Sequence, residues 1–101
     1  MLTKSFEEFL LFEKNYSNNT VIAYIKDLKD FKKFVHIQHG INDLTCVNYS
    51  QIRQWIRCLS DDGLSSRSIN RKVSSLRSFY KFLIKVNEIN FSPLENHKSL
   101  K

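Results

Sequence analysis

Only three residues of this 101-residue chain are strong turn formers: Gly40, Gly63 and Pro93. A sandwich or barrel of many short strands needs a turn signal about every 8–12 residues, and this chain does not provide them. Between these positions apolar residues recur at intervals of three and four, the spacing typical of amphipathic helices. A chain of this length forms one domain. The sequence therefore predicts a single all-α domain.

Cap residues divide the pattern into four predicted helices. The first helix runs from about Lys4 to Asn15, and the second starts after Ser17 or Asn18 and stops at Gly40. The third opens at Asn48 and ends before Gly63, and the fourth runs from roughly Ser66 to Val86. Thr3 and Ser65 are expected to cap the first and last helices, and Asn48 with Gln51 forms a candidate capping box. Residues 87–101 lose the helical period, and Pro93 indicates the start of a linker. We therefore expect a domain over residues 1–86 followed by a linker that adds no further core.

Basic residues are concentrated in the second half of the chain. The formal net charge is +6, and residues 53–86 contain eight basic residues, including all five arginines, against two acidic ones. The rest of the chain is balanced. A confined arginine cluster suits a phosphate-rich partner, although a solvated basic surface without a specific partner remains open.

The fourth predicted helix places its cations opposite its apolar stripe. The stripe is formed by Ile69, Val73, Leu76, Tyr80 and Leu83, broadened by Phe79 and Ile84. The opposite face contains Arg67, Arg71, Ser74, Ser78, Lys81 and Lys85, with Ser68, Asn70, Ser75 and Arg77 on its flanks. This face contains no acidic residue. Short hydroxyl side chains allow close approach to a DNA groove, and arginine reaches phosphates or guanine edges.

Other functional patterns are weak. The pair His36 and His39 has no third metal ligand nearby in the sequence, and histidines also suit a helix C-terminus. Cys46 and Cys58 form no metal-type pair, which favours a reduced, intracellular protein. No signal peptide, membrane span, cofactor motif or catalytic motif is recognisable. The aromatics Phe31, Phe34, Phe79, Tyr80 and Phe82 are expected to pack in the core rather than stack on single-stranded bases.

Two segments resemble a known family. The run GLSSRSINRKVSSLRSFYKFL at residues 63–83 closely resembles the fourth-helix signature of tyrosine recombinases, the phage-integrase and Xer-like enzymes. The pattern S-x-x-T-x-x-x-Y-x-x-D-L-x-x-F, from Ser17 to Phe31, resembles the second-helix pattern of that family. Ser92-Pro93 resembles the Asn-Pro that opens its interdomain linker, with Ser in place of the usual Asn.

The resemblance implies an N-terminal core-binding domain, a SAM-like four-helix bundle whose helices 2 and 4 approach the major groove of double-stranded DNA. From helix 4 it nominates as DNA contacts Arg67, Ser68 and Arg71, then Ser74, Ser75, Arg77 and Lys81. From helix 2, whose outer face alone reads as an ordinary solvated surface, it nominates Asn19, Thr20, Ala23 and Lys26. No metal, cofactor or catalytic residue is expected in this part of the family.

The resemblance also implies a longer parent protein. Strand exchange would be catalysed by a C-terminal catalytic domain, and the full-length protein would oligomerise on DNA in the bacterial cytoplasm, at the nucleoid. Two alternatives stay open. One is a helix-turn-helix regulator, for which residues 61–65 could form the turn. The other is a basic helical module that binds an acidic protein.

Overall fold

The computed structural model describes residues 2–98, and the regular structure within this range is entirely helical. The four α-helices are α1 (Leu2–Glu8), α2 (Asn18–His39), α3 (Tyr49–Asp61) and α4 (Ser66–Lys85). A π-helical segment, Phe9–Glu13, continues α1, and a short 3-10 turn, Leu44–Cys46, lies between α2 and α3. The all-α prediction is confirmed for these residues. The last three residues of the predicted linker, 99–101, lie outside the described part of the chain.

The ends of α2 and α3 follow the caps expected from the sequence. The Ser17 hydroxyl accepts a hydrogen bond from the backbone N–H of Thr20 at the start of α2. Gly40 ends α2 in the left-handed conformation, with φ of 67°. Asn48 and Gln51 form the predicted capping box, because each side chain accepts from the other residue's backbone N–H, at 3.1 and 2.9 Å. These helix ends depend on hydrogen bonds and backbone angles within a few residues, which explains why the sequence predicts them.

The start of the chain differs from its prediction. Thr3 does not cap the first helix, because α1 already includes Leu2. The α-helix also stops at Glu8 and widens into the π-helical segment, in which the sequence neighbours Phe9 and Leu10 are both buried. Phe9 packs on Phe82 of α4, with ring centroids 5.3 Å apart. Aromatic packing on α4, a tertiary contact, accompanies the change of helix type.

Helix α4 supplies much of the core. The five residues of its predicted stripe are all buried, as is Phe79, but Ile84 is exposed, so that part of the stripe prediction is wrong. Phe6 of α1 meets Phe79 edge to face at 5.2 Å, and Phe31 of α2 packs on Trp55 of α3 at 5.0 Å. These contacts join α1 to α4 and α2 to α3, and buried residues from all four helices form one cluster.

The segment after α4 contributes to the core, contrary to prediction. Leu94 is only 3% exposed and packs with the buried cluster. The Tyr49 hydroxyl lies 2.8 Å from Nδ1 of His97, which attaches the tail to α3. Leu94 is one isolated apolar residue after Pro93, so no periodic apolar pattern in the sequence indicates that it is buried. Leu94 and His97 therefore attach this segment to the bundle.

Candidate nucleic-acid interface

The exposed face of α4 begins at its N-terminal cap. The Ser65 hydroxyl accepts from the backbone N–H of Ser68 and donates to the Ser68 hydroxyl, both at 3.2 Å. One residue before the cap-bonded Ser68, Arg67 is exposed. The same arrangement opens α2, where the Ser17 and Thr20 hydroxyls lie 3.0 Å apart. Both helices thus begin with a serine cap bonded to a hydroxyl residue that the sequence nominated as a DNA contact.

Further along α4, the nominated residues differ in exposure. Lys81 is exposed, Ser74 and Arg77 are half-buried, and Arg71 has a 48% exposed side chain. Ser75 is 0% exposed. The expectation that Ser75 lies on the flank of the outward face is therefore wrong. Ser75 turns inward because it lies where α4 meets α2, and its hydroxyl is bonded there.

The partner of Ser75 is Asp27 of α2. The Ser75 hydroxyl donates to Oδ2 of Asp27 at 2.8 Å. Arg71 donates from Nη1 to Oδ2 at 2.7 Å and from Nη2 to Oδ1 at 3.2 Å, and Lys72 donates to Oδ1 at 3.1 Å. Asp27 itself is 1% exposed. A buried carboxylate is tolerated when donors of this kind surround it.

This contact corrects the prediction of a carboxylate-free face. Asp27 compensates part of the positive charge of Arg71, and at the other end of α4 Glu13 pairs with Lys85. Both acids come from other helical segments, so an inspection of α4 alone does not reveal them. Within residues 2–98, no ion pair involves Arg67, Lys81 or Lys26. Among the nominated residues in the described range, these three are the exposed positive charges without an ion pair.

Helix α2 presents its nominated residues beside this contact. Asn19 and Lys26 are exposed, whereas Thr20 and Ala23 are half-buried. Lys26 directly precedes Asp27, whose carboxylate is bonded to Arg71 and Ser75 of α4. Exposed residues of α2 therefore lie beside the contact that joins α2 to α4.

Burial and neighbouring charges raise the pKa of Tyr24, one turn before Asp27. Burial is the main cause, followed by Tyr16, while the positive charge of Arg71 opposes the rise. The Tyr16 and Tyr24 rings meet edge to face at 5.7 Å. Tyr24 therefore stays neutral at ordinary pH and adds no negative charge beside Arg71.

Arg77 lies toward the C-terminal tail. Burial lowers the pKa of His97, and the positive charge of Arg77 lowers it further. Among the nominated residues, Arg77 therefore lies toward the tail, whereas Arg71 contacts α2.

The structure also places the aromatic residues and the histidine pair that the sequence offered as other candidate sites. Phe31, Phe79, Tyr80 and Phe82 are buried and Phe34 is half-buried, so none of the four buried rings is available for base stacking. His36 lies 2.6 Å from Oδ1 of Asn42 in the last turn of α2. In the part of the chain that the structure describes, no group of three potential metal-ligating side chains is found. Among the described helices, none has the length and apolarity to cross a membrane.

Sequence reasoning missed the buried contact between Asp27 and Lys72. Asp27 follows Tyr24 by three residues and precedes Leu28, so it borders the buried stripe of α2. Aspartate is almost never fully buried without a partner, and an acid at the edge of an apolar stripe is a signal for a buried ion pair. That signal was present, but it does not say which helix supplies the cation.

Comparisons with known proteins agree on one group. A family model described as "Phage integrase, N-terminal SAM-like domain" matches residues 3–87. Tyrosine recombinase XerC of Bacillus licheniformis is 41% identical over 88 residues, which are 87% of this chain and 29% of that protein. Tyrosine recombinase XerD of Rickettsia conorii is 40% identical over 91 residues, 90% of this chain and 29% of that protein. The chain spans less than a third of the length of these relatives, and no solved structure matches it significantly.

Proposed function

This chain belongs to the family of phage integrase N-terminal SAM-like domains, and from that membership we propose that it binds double-stranded DNA as a module of a tyrosine recombinase. The observation that favours this function is the exposed, uncompensated positive charge of Arg67 in the first turn of α4 and of Lys26 in the third turn of α2. Phosphate contacts from such side chains provide most of the affinity of a DNA-binding surface.

In the proposed complex, α2 and α4 face the major groove together. Arg67, Lys26 and Lys81 contact phosphates, and the short side chains of Asn19, Thr20, Ala23, Ser68 and Ser74 allow the two helices to approach closely. Arg71 points a guanidinium toward the groove. Arg77 contributes a longer-range positive charge near the tail, whereas Ser75 acts only through its bond to Asp27.

The parent protein is proposed to perform site-specific recombination. Its strand-exchange chemistry belongs to a catalytic domain in the remaining two thirds of the length seen in the relatives. Residues after 86 begin the connection to that domain, and the full-length protein assembles on DNA as an oligomer. A DNA partner places it in the bacterial cytoplasm, at the nucleoid. In this arrangement the 101-residue chain binds DNA but does not cut it.

A helix-turn-helix regulator is the second DNA-binding candidate. The observation in its favour is the short connection of residues 62–65 between α3 and α4. Such a regulator depends mainly on Arg71, whereas two-helix contact depends on both Arg71 and Lys26. Replacing Lys26 by Ala therefore separates the two: reduced affinity supports two-helix contact, and unchanged affinity supports the regulator.

Fluorescence anisotropy with a labelled 30-base-pair duplex tests DNA binding itself. The wild-type chain is titrated with and without excess unlabelled duplex, and with an acidic protein as a competitor. We expect saturable binding that unlabelled duplex abolishes. Absence of duplex binding at low salt, or binding of the acidic protein that survives excess duplex, would contradict the proposal and favour a protein-interaction module.

A further inference from the structure

Each oxygen of the buried Asp27 carboxylate accepts two hydrogen bonds from α4, an arrangement called the Asp27 contact below. Oδ1 accepts from Arg71 and Lys72, and Oδ2 accepts from Arg71 and Ser75, at distances between 2.7 and 3.2 Å. Lys72 is itself only 15% exposed. Three donors that come from α4 therefore hold one carboxylate of α2, and the carboxylate in turn holds the Arg71 guanidinium.

Arg71 is fixed on one side and open on the other. A guanidinium has five N–H donors in a planar fork, and Asp27 accepts from one N–H on each terminal nitrogen. Nε–H and one N–H on each terminal nitrogen remain. Because the side chain is 48% exposed, these donors are accessible from the surface on which Arg67 also lies. An arginine held in this way loses little conformational freedom on binding a second acceptor.

The charges of the contact favour a base over a phosphate as that second acceptor. Asp27, Arg71 and Lys72 together have a net charge of +1, so Arg71 attracts phosphate less strongly than the unpaired Arg67. A planar guanidinium held in one orientation binds most tightly to two acceptor atoms whose spacing matches its N–H donors. Guanine O6 and N7 in the major groove form such a pair, and arginine is their commonest partner.

We propose that Asp27 is a positioning residue that orients Arg71 to read a guanine edge in the major groove, so that a buried acid increases the DNA specificity of a basic domain. This inference rests on the proposed DNA-binding function. It assigns different roles to the two neighbouring arginines of α4: Arg67 supplies affinity for any duplex, and Arg71 supplies discrimination between duplexes.

A matched pair of variants tests the inference. Asp27→Asn and Asp30→Asn each remove one negative charge from α2. Asp30 differs from Asp27 because its side chain is 50% exposed and its carboxylate is paired with Lys72 at the longer distance of 3.8 Å, without a contact to Arg71. Binding is measured to a duplex that the wild-type chain selects from a randomised library and to a duplex of the same composition in scrambled order. The specificity ratio is the affinity for the selected duplex divided by that for the scrambled one.

The two variants are expected to differ in this ratio. Loss of an acid strengthens non-specific binding in both variants, because both raise the net charge equally. Asp27→Asn also releases Arg71, so its specificity ratio falls about tenfold or more, the size of one bidentate base contact. Asp30→Asn keeps the wild-type ratio. An Asp27→Asn variant with an unchanged ratio, or the same fall in both variants, would overturn the inference.

Two further measurements keep the test decisive. Circular dichroism shows whether Asp27→Asn folds. If it does not fold, Arg71→Lys is used in its place, because lysine keeps the charge but cannot donate two parallel hydrogen bonds. A specificity ratio that Arg71→Lys retains would then refute the inference.

In the wild-type protein, NMR of the guanidinium nitrogens should give separate Nη signals for Arg71 and averaged ones for Arg67. Averaged signals for Arg71 would show that Asp27 does not hold it in solution.

The wild-type chain separates this inference from the proposed function. A wild-type chain that binds no duplex removes the DNA-binding proposal itself. A wild-type chain that binds every duplex equally leaves DNA binding in place and overturns the role of Asp27 in specificity.

Discussion

The Tyr80 hydroxyl donates a hydrogen bond of 2.8 Å to the backbone carbonyl of Leu44. Tyr80 lies on the buried stripe of α4, and Leu44 begins the short turn between α2 and α3. Burial raises the pKa of Tyr80 far above its ordinary value, so the hydroxyl keeps its proton and remains a donor at any ordinary pH. This bond attaches the turn between α2 and α3 to α4, the helix that contains most of the nominated DNA contacts.

Replacing Tyr80 by Phe removes the donor and leaves the Leu44 carbonyl with the longer hydrogen bond from the backbone N–H of Val47, at 3.4 Å. We expect the free energy of unfolding to fall by about 0.5–1.5 kcal/mol, measured by urea denaturation. Tyr16→Phe is the control, because Tyr16 is half-buried and makes a ring contact but no hydroxyl bond among the described residues. Equal losses in the two variants would show that the Leu44 bond contributes nothing.

Gly40 gives a second test of local stability. Its φ of 67° lies in the left-handed region, and a Cβ at this position would meet no atom within 4 Å. Gly40→Ala is therefore expected to cost about 1–2 kcal/mol of unfolding free energy through backbone conformation alone. Gly40→Asn should cost less, because asparagine tolerates this conformation better. A thermal melt in which Ala and Asn are equivalent would contradict this explanation.

The tail should respond to acidification through His97. Burial and Arg77 lower the pKa of His97 in the folded protein below its ordinary 6.5. Arg53, Arg57, Asp61 and Lys98 line the same groove, with three positive charges against one negative. As the pH falls below 6.5, the unfolded chain binds a proton that folded His97 resists, so stability decreases until the pH passes the folded pKa.

Denaturation profiles between pH 7.5 and about pH 5 measure this effect. The wild-type chain should lose more stability across that range than His97→Ala, which lacks the titrating group. Parallel profiles would exclude a contribution from His97. Hydrogen exchange at the backbone N–H of Leu94, which lies 3.0 Å from the Ser92 hydroxyl, reports whether the tail detaches first.

Arg67→Ala tests the proposed phosphate contact on α4. We expect weaker binding to every duplex by a similar factor, with a salt slope smaller by about one unit, because Arg67 is exposed and forms no ion pair within residues 2–98. Arg57→Ala is the matched control, since Arg57 is exposed on α3, which supplies no nominated contact. Equal losses in both variants would mean that only total charge matters.

The sequence predicted the family, the SAM-like bundle and all four helices, with the ends of α2, α3 and α4 close to those observed, because caps and apolar periods are local signals. Ser17, Gly40 and Ser65 mark helix ends through bonds or backbone angles within a few residues. The resemblance to the phage-integrase family, drawn from residues 17–31 and 63–83, is confirmed by the match over residues 3–87.

The features that were predicted wrongly depend on contacts distant in sequence. The inward turn of Ser75 needs Asp27, which lies 48 residues away, and the pairing of Lys85 needs Glu13, 72 residues away. The π-helical segment and the burial of Leu94 likewise follow from packing against the rest of the bundle. A helical wheel assigns a face to each residue, but it cannot say which neighbouring helix meets that face.

The affinity of the wild-type chain for a duplex as a function of salt concentration tests the proposed DNA-binding function most directly. If the exposed cations of α2 and α4 neutralise about four to six phosphates, the logarithm of the affinity should fall with the logarithm of the salt concentration, with a slope of about −4 to −5. A slope near zero would contradict the account, because binding would then not depend on this basic surface.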